Sequence, residues 1–267
     1  MFKYKVNQNG EAIITGYNGN NIEVIIPSEI EGKPVKSIED KAFYARRRLI
    51  SITIPDSVTS IGESAFESCS SLTSVTIPNG VKNIGAFAFC CCLNLTSVTI
   101  PESVTSIRDY AFYGCSSLTS VTIPNSIKSI GEEAFSDCRS LTSVTIPESV
   151  TNIGEGAFYN CRSLTSVEIP ESVASIGDWA FENCRSLTSV TIPSNITSIG
   201  VYVFENCNSL MSVTIPDSVT DIGIYAFHRC NSVENVYYTG TEEQWGKIAI
   251  DSYNHALNKA KKHFKNA

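Results

Sequence analysis

One unit of 23 residues dominates the sequence and is cleanest as LTSVTIPESVTNIGEGAFYNCRS, from Leu141 to Ser163. Eight copies follow one another without insertion or deletion, starting at Leu49, Leu72, Leu95, Leu118, Leu141, Leu164, Leu187 and Leu210. Their phenylalanines recur at Phe66, Phe89, Phe112, Phe135, Phe158, Phe181, Phe204 and Phe227, and Phe43 marks a ninth, irregular copy ahead of the first regular one. A fixed period of this length constrains the fold severely. One unit cannot bury its own apolar side, so successive units must stack into a solenoid.

Within the unit the apolar spacing changes character. Val144 and Ile146 alternate with Ser143 and Thr145 in a β-branched run, which is the period of a half-buried strand. Pro147 ends the run, because proline has no N–H to give a ladder. Strands are expected at roughly 51–54, 74–77, 97–100, 120–123, 143–146, 166–169, 189–192 and 212–215, paired in parallel about 4.8 Å apart in one sheet. Val150 to Ile153 turns the chain a second time. Gly154 follows at a position that is glycine in seven of the eight copies, Arg108 being the exception. Such a glycine implies either a positive φ or a close approach of two backbones. Ala157, Phe158 and Cys161 are spaced like one turn of α- or 3₁₀-helix, too short to stand alone.

The pattern L-x-x-V-x-I-P-x-x-V-x-x-I-G-x-x-A-F-x-x-C-x-x resembles the BspA-like leucine-rich repeats of bacterial surface proteins and runs through most of the chain. That resemblance implies a leucine-rich-repeat solenoid with a curved parallel β-sheet on its concave face, short strands and 3₁₀ or helical turns elsewhere, and a cap at both ends. An uninterrupted repeat leaves no room for a second domain. The expected organisation is one solenoid domain over 1–267: an N-terminal cap and irregular first repeat at 1–48, eight repeats at 49–232 and a C-terminal cap at 233–267.

In the first cap, Tyr4–Val6 and Ala12–Thr15 can pair as a hairpin across Asn7-Gln8-Asn9-Gly10, and Ile22–Ile26 reads as the first repeat strand. The insertion Glu31-Gly32-Lys33-Pro34 separates that strand from Ile38. At the other end, Thr241 and Gln244 have capping-box spacing, which places a short helix at about 241–249 with Trp245 and Ile248 on one face. The segment VYYTGTEEQW resembles the closing element of the same repeat family, which implies that Trp245 covers the last coil. Lys261-Lys262-His263-Phe264-Lys265 reads as a solvated tail or a last short element.

Eight of the ten cysteines, Cys69, Cys92, Cys115, Cys138, Cys161, Cys184, Cys207 and Cys230, occupy one repeat position and form a ladder. Their spacing would permit disulfides. Free cysteine nevertheless packs as a small buried hydrophobe, so reduced thiols lining the core are expected. No metal is expected, since ligands one coil apart lack the CxxC geometry of zinc sites. Cys90 and Cys91 stand outside the ladder; packing is their expected use, and of the ten thiols they are the candidates for reactivity.

A net charge of −7 disfavours nucleic acid as a partner. No stretch is apolar enough to span a membrane. The opening MFKYKVNQNG lacks the apolar run of a secretion signal, so the chain read literally is intracellular, whereas the family resemblance implies the cell surface or secretion. No phosphate-binding motif, carboxylate pair or nucleophile triad is present, and no histidine precedes His228. Neither an enzyme nor a cofactor is expected.

Candidate sites are therefore surfaces. Comparison of the copies with one another separates what the scaffold fixes from what varies. The strand positions Ser74 and Thr76 recur almost unchanged in every copy, and Glu168 alone breaks the row. Such hydroxyls either keep a strand face wet or line a groove for a glycan or extended peptide. Phe87, Tyr110, Trp179, Tyr202 and Tyr225 form a stripe, which could equally anchor a partner or shield a turn. Arg139, Arg162 and Arg185 make a basic row beside the cysteines, and Asp56, Glu102, Glu148, Glu171 and Asp217 an acidic one at the strand margin. The exceptions concentrate in the sixth and seventh copies, so Glu168, Trp179, Arg162, Arg185, Arg139 and Tyr202 are the candidate partner-binding residues. The expected function is recognition or adhesion by a monomer, with a protein or glycan held across the concave face and its margins. The alternative is a structural spacer without a ligand. Ice binding by the Ser-x-Thr rows is disfavoured, because a concave sheet does not match a flat lattice.

Overall fold

The computed structural model describes residues 1–265. Eleven short strands, from Glu23–Ile25 to Lys261–His263, stack in parallel along one face of the solenoid. In the regular copies these strands are Ser51–Thr53, Ser74–Thr76 and so on, with the central Val or Ile buried and its neighbours turned outward. Register is exact from coil to coil: Ser97 faces Ser74 and Ser120, and Thr99 faces Thr76 and Thr122. A second ladder, which the sequence pattern shows only as a turn, is built from two-residue strands such as Ser129–Ile130 and Asn152–Ile153. Two residues suffice there because each pair repeats at the same place in every coil.

The core is a set of columns. Phe43 through Phe227 are all fully buried, each ring stacked on the next at 5.1–5.6 Å between centroids. All ten cysteines are free, and the eight ladder thiols are buried. Each ladder S–H donates to the carbonyl of a phenylalanine 26 residues earlier, as from Cys161 to Phe135 at 3.2 Å. Burial pushes the seven ladder thiols from Cys69 to Cys207 upward, Cys69 to about 12, so the thiolate that would react or bind metal is suppressed there.

Between the glycine and the cysteine the backbone alternates two kinds of bond. In one coil Ala88, Cys90 and Cys92 donate three residues back, while Phe87, Phe89 and Cys91 donate to the next coil. This requires two left-handed residues per coil, here Phe87 and Cys91, both at φ 57°. The repeat glycines are needed for a different reason. Gly154 is not at positive φ, and a Cβ there would lie 2.6 Å from the carbonyl carbon of Gly131, so the coils touch through their backbones.

The one parallel sheet expected as continuous is divided into sheets of seven and four strands, and the second ladder is interrupted as well. The second ladder breaks between Asn83–Ile84 and Ser106–Ile107, where Arg108 brings a Cβ to the position of close approach. Both ladders break between the sixth and seventh copies, between Ser166–Glu168 and Ser189–Thr191 and between Ser175–Ile176 and Ser198–Ile199. There Asn195 replaces a serine whose hydroxyl elsewhere bonds the previous coil, as Ser149 does to the Ile127 carbonyl at 2.6 Å. The longer amide of Asn195 reaches the Glu171 carbonyl instead, at 2.6 Å. The atoms nearest a Cβ at Gly200 belong to the side chains of Asp178 and Val203 rather than to the backbone of the previous coil, and Ile176 is only half-buried although its equivalents in the other regular copies are buried.

At the first end Phe2–Val6 and Ala12–Tyr17 form the expected antiparallel hairpin. The insertion is itself a hairpin, Glu29–Ile30 against Lys33–Ile38, turning through Glu31 and Gly32 at positive φ. At the other end the capping box of Thr241 and Gln244 is formed, but the helix is only Glu242–Trp245. Ala249–Ile250 leaves it to pair with Asp221–Ile222 in the second ladder. The basic tail segment Lys261–His263 is the last strand of the first ladder. Trp245 is half-buried, edge-on to Tyr238 at 5.3 Å. Closure of the Phe column falls to Asn254. Its Oδ1 accepts the Phe227 N–H at 2.9 Å, the bond that every earlier phenylalanine of the column gives to the next coil, while its Nδ2 donates to Gly223 and Asp251 carbonyls.

Candidate functional site

The outer aromatic stripe arises from the left-handed position two residues before each Phe. Phe87, Tyr110, Trp179, Tyr202 and Tyr225 all sit there at φ of 57–61°, which swings their side chains out along the turn. Phe87 and Tyr110 stack at 4.7 Å. Glu133 and Gly156 then occupy the position and break the stripe. It resumes as a run of four rings: Trp179 to Tyr202 at 6.2 Å, Tyr202 to Tyr225 at 4.9 Å, and Tyr225 to Tyr253 of the C-terminal cap at 4.4 Å. Trp179 is 38% exposed and Tyr253 47%. On its other side Trp179 has Gly156 at the equivalent position, which offers no ring or side chain to cover it. Tyr253 lies outside the repeat, so periodicity gave no signal for it.

Beneath the four rings runs a polar row one position after each Phe. His228 Nδ1 lies 2.7 Å from Glu205 Oε1, and the His228 ring meets Tyr225 edge-on at 5.0 Å. Glu182 accepts from the Asn183 amide at 3.0 Å. Burial, with the charge of Glu205 nearby, pushes the Glu182 carboxyl up to about 7. These groups carry the electrostatics of the stripe.

The arginine row follows the other left-handed position, held by Asp137, Asn160 and Asn183, residue types that tolerate that conformation. Arg139 pairs with Asp137 at 3.0 Å, and Arg162 Nε donates to Asn160 Oδ1 at 2.7 Å. Asn160 in turn bonds Asp137, so Arg139 and Arg162 are tied into one strip. Arg185 is exposed in the same row. Glu168 is not part of this surface. It stands on the strand face, 11 positions before Trp179 in a 23-residue coil (179 − 168 = 11), half a coil away. There it borders the opening between the sixth and seventh copies, a depression of about 330 Å³ shared with Glu148, Glu171, Ser189 and Thr191. Glu171 is tied across that opening, accepting from the Ser194 N–H at 2.9 Å and hydroxyl at 2.6 Å, bonds that hold its carboxyl below the usual range.

The strand face is a field of exposed hydroxyls, Ser74 with Thr76 and their equivalents. The neighbouring Thr row is committed to the scaffold, Thr96 Oγ1 bonding the Thr73 carbonyl at 3.2 Å and so on along the rod. Among the described residues no group of His, Cys, Asp or Glu is arranged to hold a metal ion, and no helix is long and apolar enough to cross a membrane.

Residues 36–162 and 128–256 match the model of the BspA type leucine rich repeat region. Among solved structures, a leucine-rich repeat protein from Bacteroides ovatus is 29% identical, with all of this chain covering 78% of that one at a TM-score of 0.69. A leucine-rich repeat protein of T. pallidum is 26% identical over 100% of this chain and 97% of its own, with a TM-score of 0.47. A leucine rich cell surface protein from Faecalibacterium prausnitzii is 29% identical over 94% and 96%, with a TM-score of 0.43. No curated protein matches. Leucine-rich repeat proteins are typically non-enzymatic scaffolds and commonly bind proteins. With matched regions running from residue 36 to residue 256, this chain belongs to the BspA-type leucine-rich repeat family.

Proposed function

We propose that this chain is a recognition scaffold at the cell surface, binding a protein or glycan as a monomer through the outer aromatic run and the margins beside it. The observation that carries the reading is the run Trp179, Tyr202, Tyr225 and Tyr253. The scaffold does not need aromatic residues at that position, since Glu133 and Gly156 fold there equally well. Exposed rings on a rigid support bring large contact area at low entropic cost, which is how interaction anchors work. Arg162 and Arg185 flank the start of the run with planar donors, and Glu168 marks the same coils on the strand face. Family membership supports the surface location.

The test is a glycan and surface-protein binding screen with the isolated chain, followed by Trp179→Ala on any partner found. Trp179→Ala should weaken binding by about 2 kcal/mol or more. Its thermal stability should stay close to that of the parent. A screen without hits, or a Trp179→Ala chain that loses stability yet binds as before, would return the stripe to the role of a turn cover and the rod to that of a spacer.

A further inference from the structure

The run Arg46-Arg47-Arg48 is used by neither the stripe nor the strand face. Arg46 stands 23 residues before Cys69, at the place the regular copies give to the ladder thiol (69 − 46 = 23). The core cannot take a guanidinium there. It turns instead toward the loop before the first repeat strand, where its Nη2 donates to the Tyr17 carbonyl.

Tyr17 fixes that loop. Its ring continues the Phe column toward the N-terminus, 5.9 Å from Phe43 and 5.1 Å from Phe2. Its hydroxyl lies so close over Gly19 that a Cβ at that residue would collide with the oxygen. Ala45, at φ 55°, turns the chain so that the arginines follow around the opening. The result is a recess of about 210 Å³, lined by Tyr17, Asn20, Asn21 and the three arginines among others. No carboxylate lines it, and among the described residues neither Arg47 nor Arg48 is in an ion pair. Three adjacent positive charges repel one another, and among the described residues none of the three has a carboxylate partner at ion-pair distance.

We propose that this recess binds a tetrahedral oxyanion, a phosphate or sulfate group carried as an ester. Guanidinium forks match such oxygens two at a time, and charge-assisted bonds of this kind are stronger than neutral ones. The amides of Asn20 and Asn21 add donors. Arg46, held on the Tyr17 carbonyl, is oriented before a ligand arrives.

Calorimetric titration with inorganic phosphate, inorganic sulfate, N-acetylglucosamine 6-phosphate, N-acetylglucosamine 6-sulfate and unmodified N-acetylglucosamine tests this and tells the two ester types apart. Saturable binding is expected for at least one ester and not for the neutral sugar. The double change Arg47→Gln, Arg48→Gln, at two exposed residues, should weaken it roughly tenfold or more without lowering Tm. Arg47→Lys, Arg48→Lys keeps the charge and loses the fork, so its loss should be intermediate; binding equal to the parent would overturn the forked site. Trp179→Ala should leave ester binding unchanged, which separates this site from the aromatic stripe. No saturable binding by any probe, equal binding of the neutral sugar, or full affinity in the double Gln chain would overturn the proposal.

Discussion

Two rows of aromatic rings run along this molecule at nearly the same spacing. The inner row, Phe43 to Phe227, is unbroken and fully buried, at 5.1–5.6 Å per step. The outer row is broken by Glu133 and Gly156, varies between Phe, Tyr and Trp, and has its rings 4.4–6.2 Å apart in its longest run, with Trp179 tilted against Tyr202. Equal spacing therefore does not mean an equal role. The inner row has no freedom because each ring fills the space between two coils. The outer row is set at a left-handed backbone position that accepts Lys41, Ser64 or Gly156 as readily as Trp179, so side-chain identity there is open to selection for something other than folding.

The largest effect should separate the rows. Phe158→Ala removes a ring that is 0% exposed and stacked on both sides, at 5.5 Å from Phe135 and 5.4 Å from Phe181. It should cost about 3–5 kcal/mol, measured by denaturant unfolding. A loss below about 1 kcal/mol would mean that the column relaxes freely and that the contrast with the outer row is false.

Much of the scaffold is legible in the sequence because a repeat states each contact many times. The Val and Ile of the strand, the Phe column and the thiol ladder all follow from apolar residues at fixed intervals. What the sequence did not show depends on single residues seen once. Asn254 terminates the rod by imitating a backbone carbonyl, and nothing in its neighbourhood repeats. Tyr253 extends the stripe from outside the periodic region. The second ladder is hidden because two-residue strands carry no pattern of their own. Glu168 and Trp179, grouped by their shared coil, stand on different faces, since proximity in sequence says little about direction within a 23-residue turn. The left-handed positions escaped notice because Asp, Asn, Tyr and Arg fill them where glycine would have signalled them.

Arg108 gives an intermediate effect and tests whether regularity inside the rod is itself stabilising. At most steps of the second ladder the glycine N–H bonds the previous coil, as Gly131 does to the Ile107 carbonyl at 2.8 Å, and a residue three earlier does the same, as Lys128 does to Thr105 at 2.9 Å. At Arg108 the ladder is interrupted. Restoring two backbone bonds at about 1 kcal/mol each, less about 0.5–1 kcal/mol for the entropy of a new glycine, leaves Arg108→Gly about 1 kcal/mol more stable than the parent. Slower amide exchange at Thr105 and at residue 108 would accompany the gain. No gain and unchanged exchange would show that the interruption has another cause.

The smallest effect lies under the outer row and depends on pH. Glu182 follows Trp179 by one turn, its N–H bonded to the Trp179 carbonyl at 3.0 Å. Burial and the neighbouring Glu205 raise its carboxyl to about 7 from an ordinary value of 4.5, while Glu205 itself faces His228. A raised carboxyl means that the folded chain binds a proton between those two values which the unfolded chain has already released. Stability from this group is therefore present at and below about pH 5 and is lost as pH rises through 7. Glu182→Gln keeps the shape and cannot ionise, so its stability relative to the parent should be higher at pH 8 than at pH 5. Chemical unfolding of both chains at the two values measures the difference directly. If Glu182→Gln shifts stability equally at both, the polar row beneath Trp179, Tyr202 and Tyr225 is as well solvated as any other surface, and the outer stripe loses its distinct electrostatic setting.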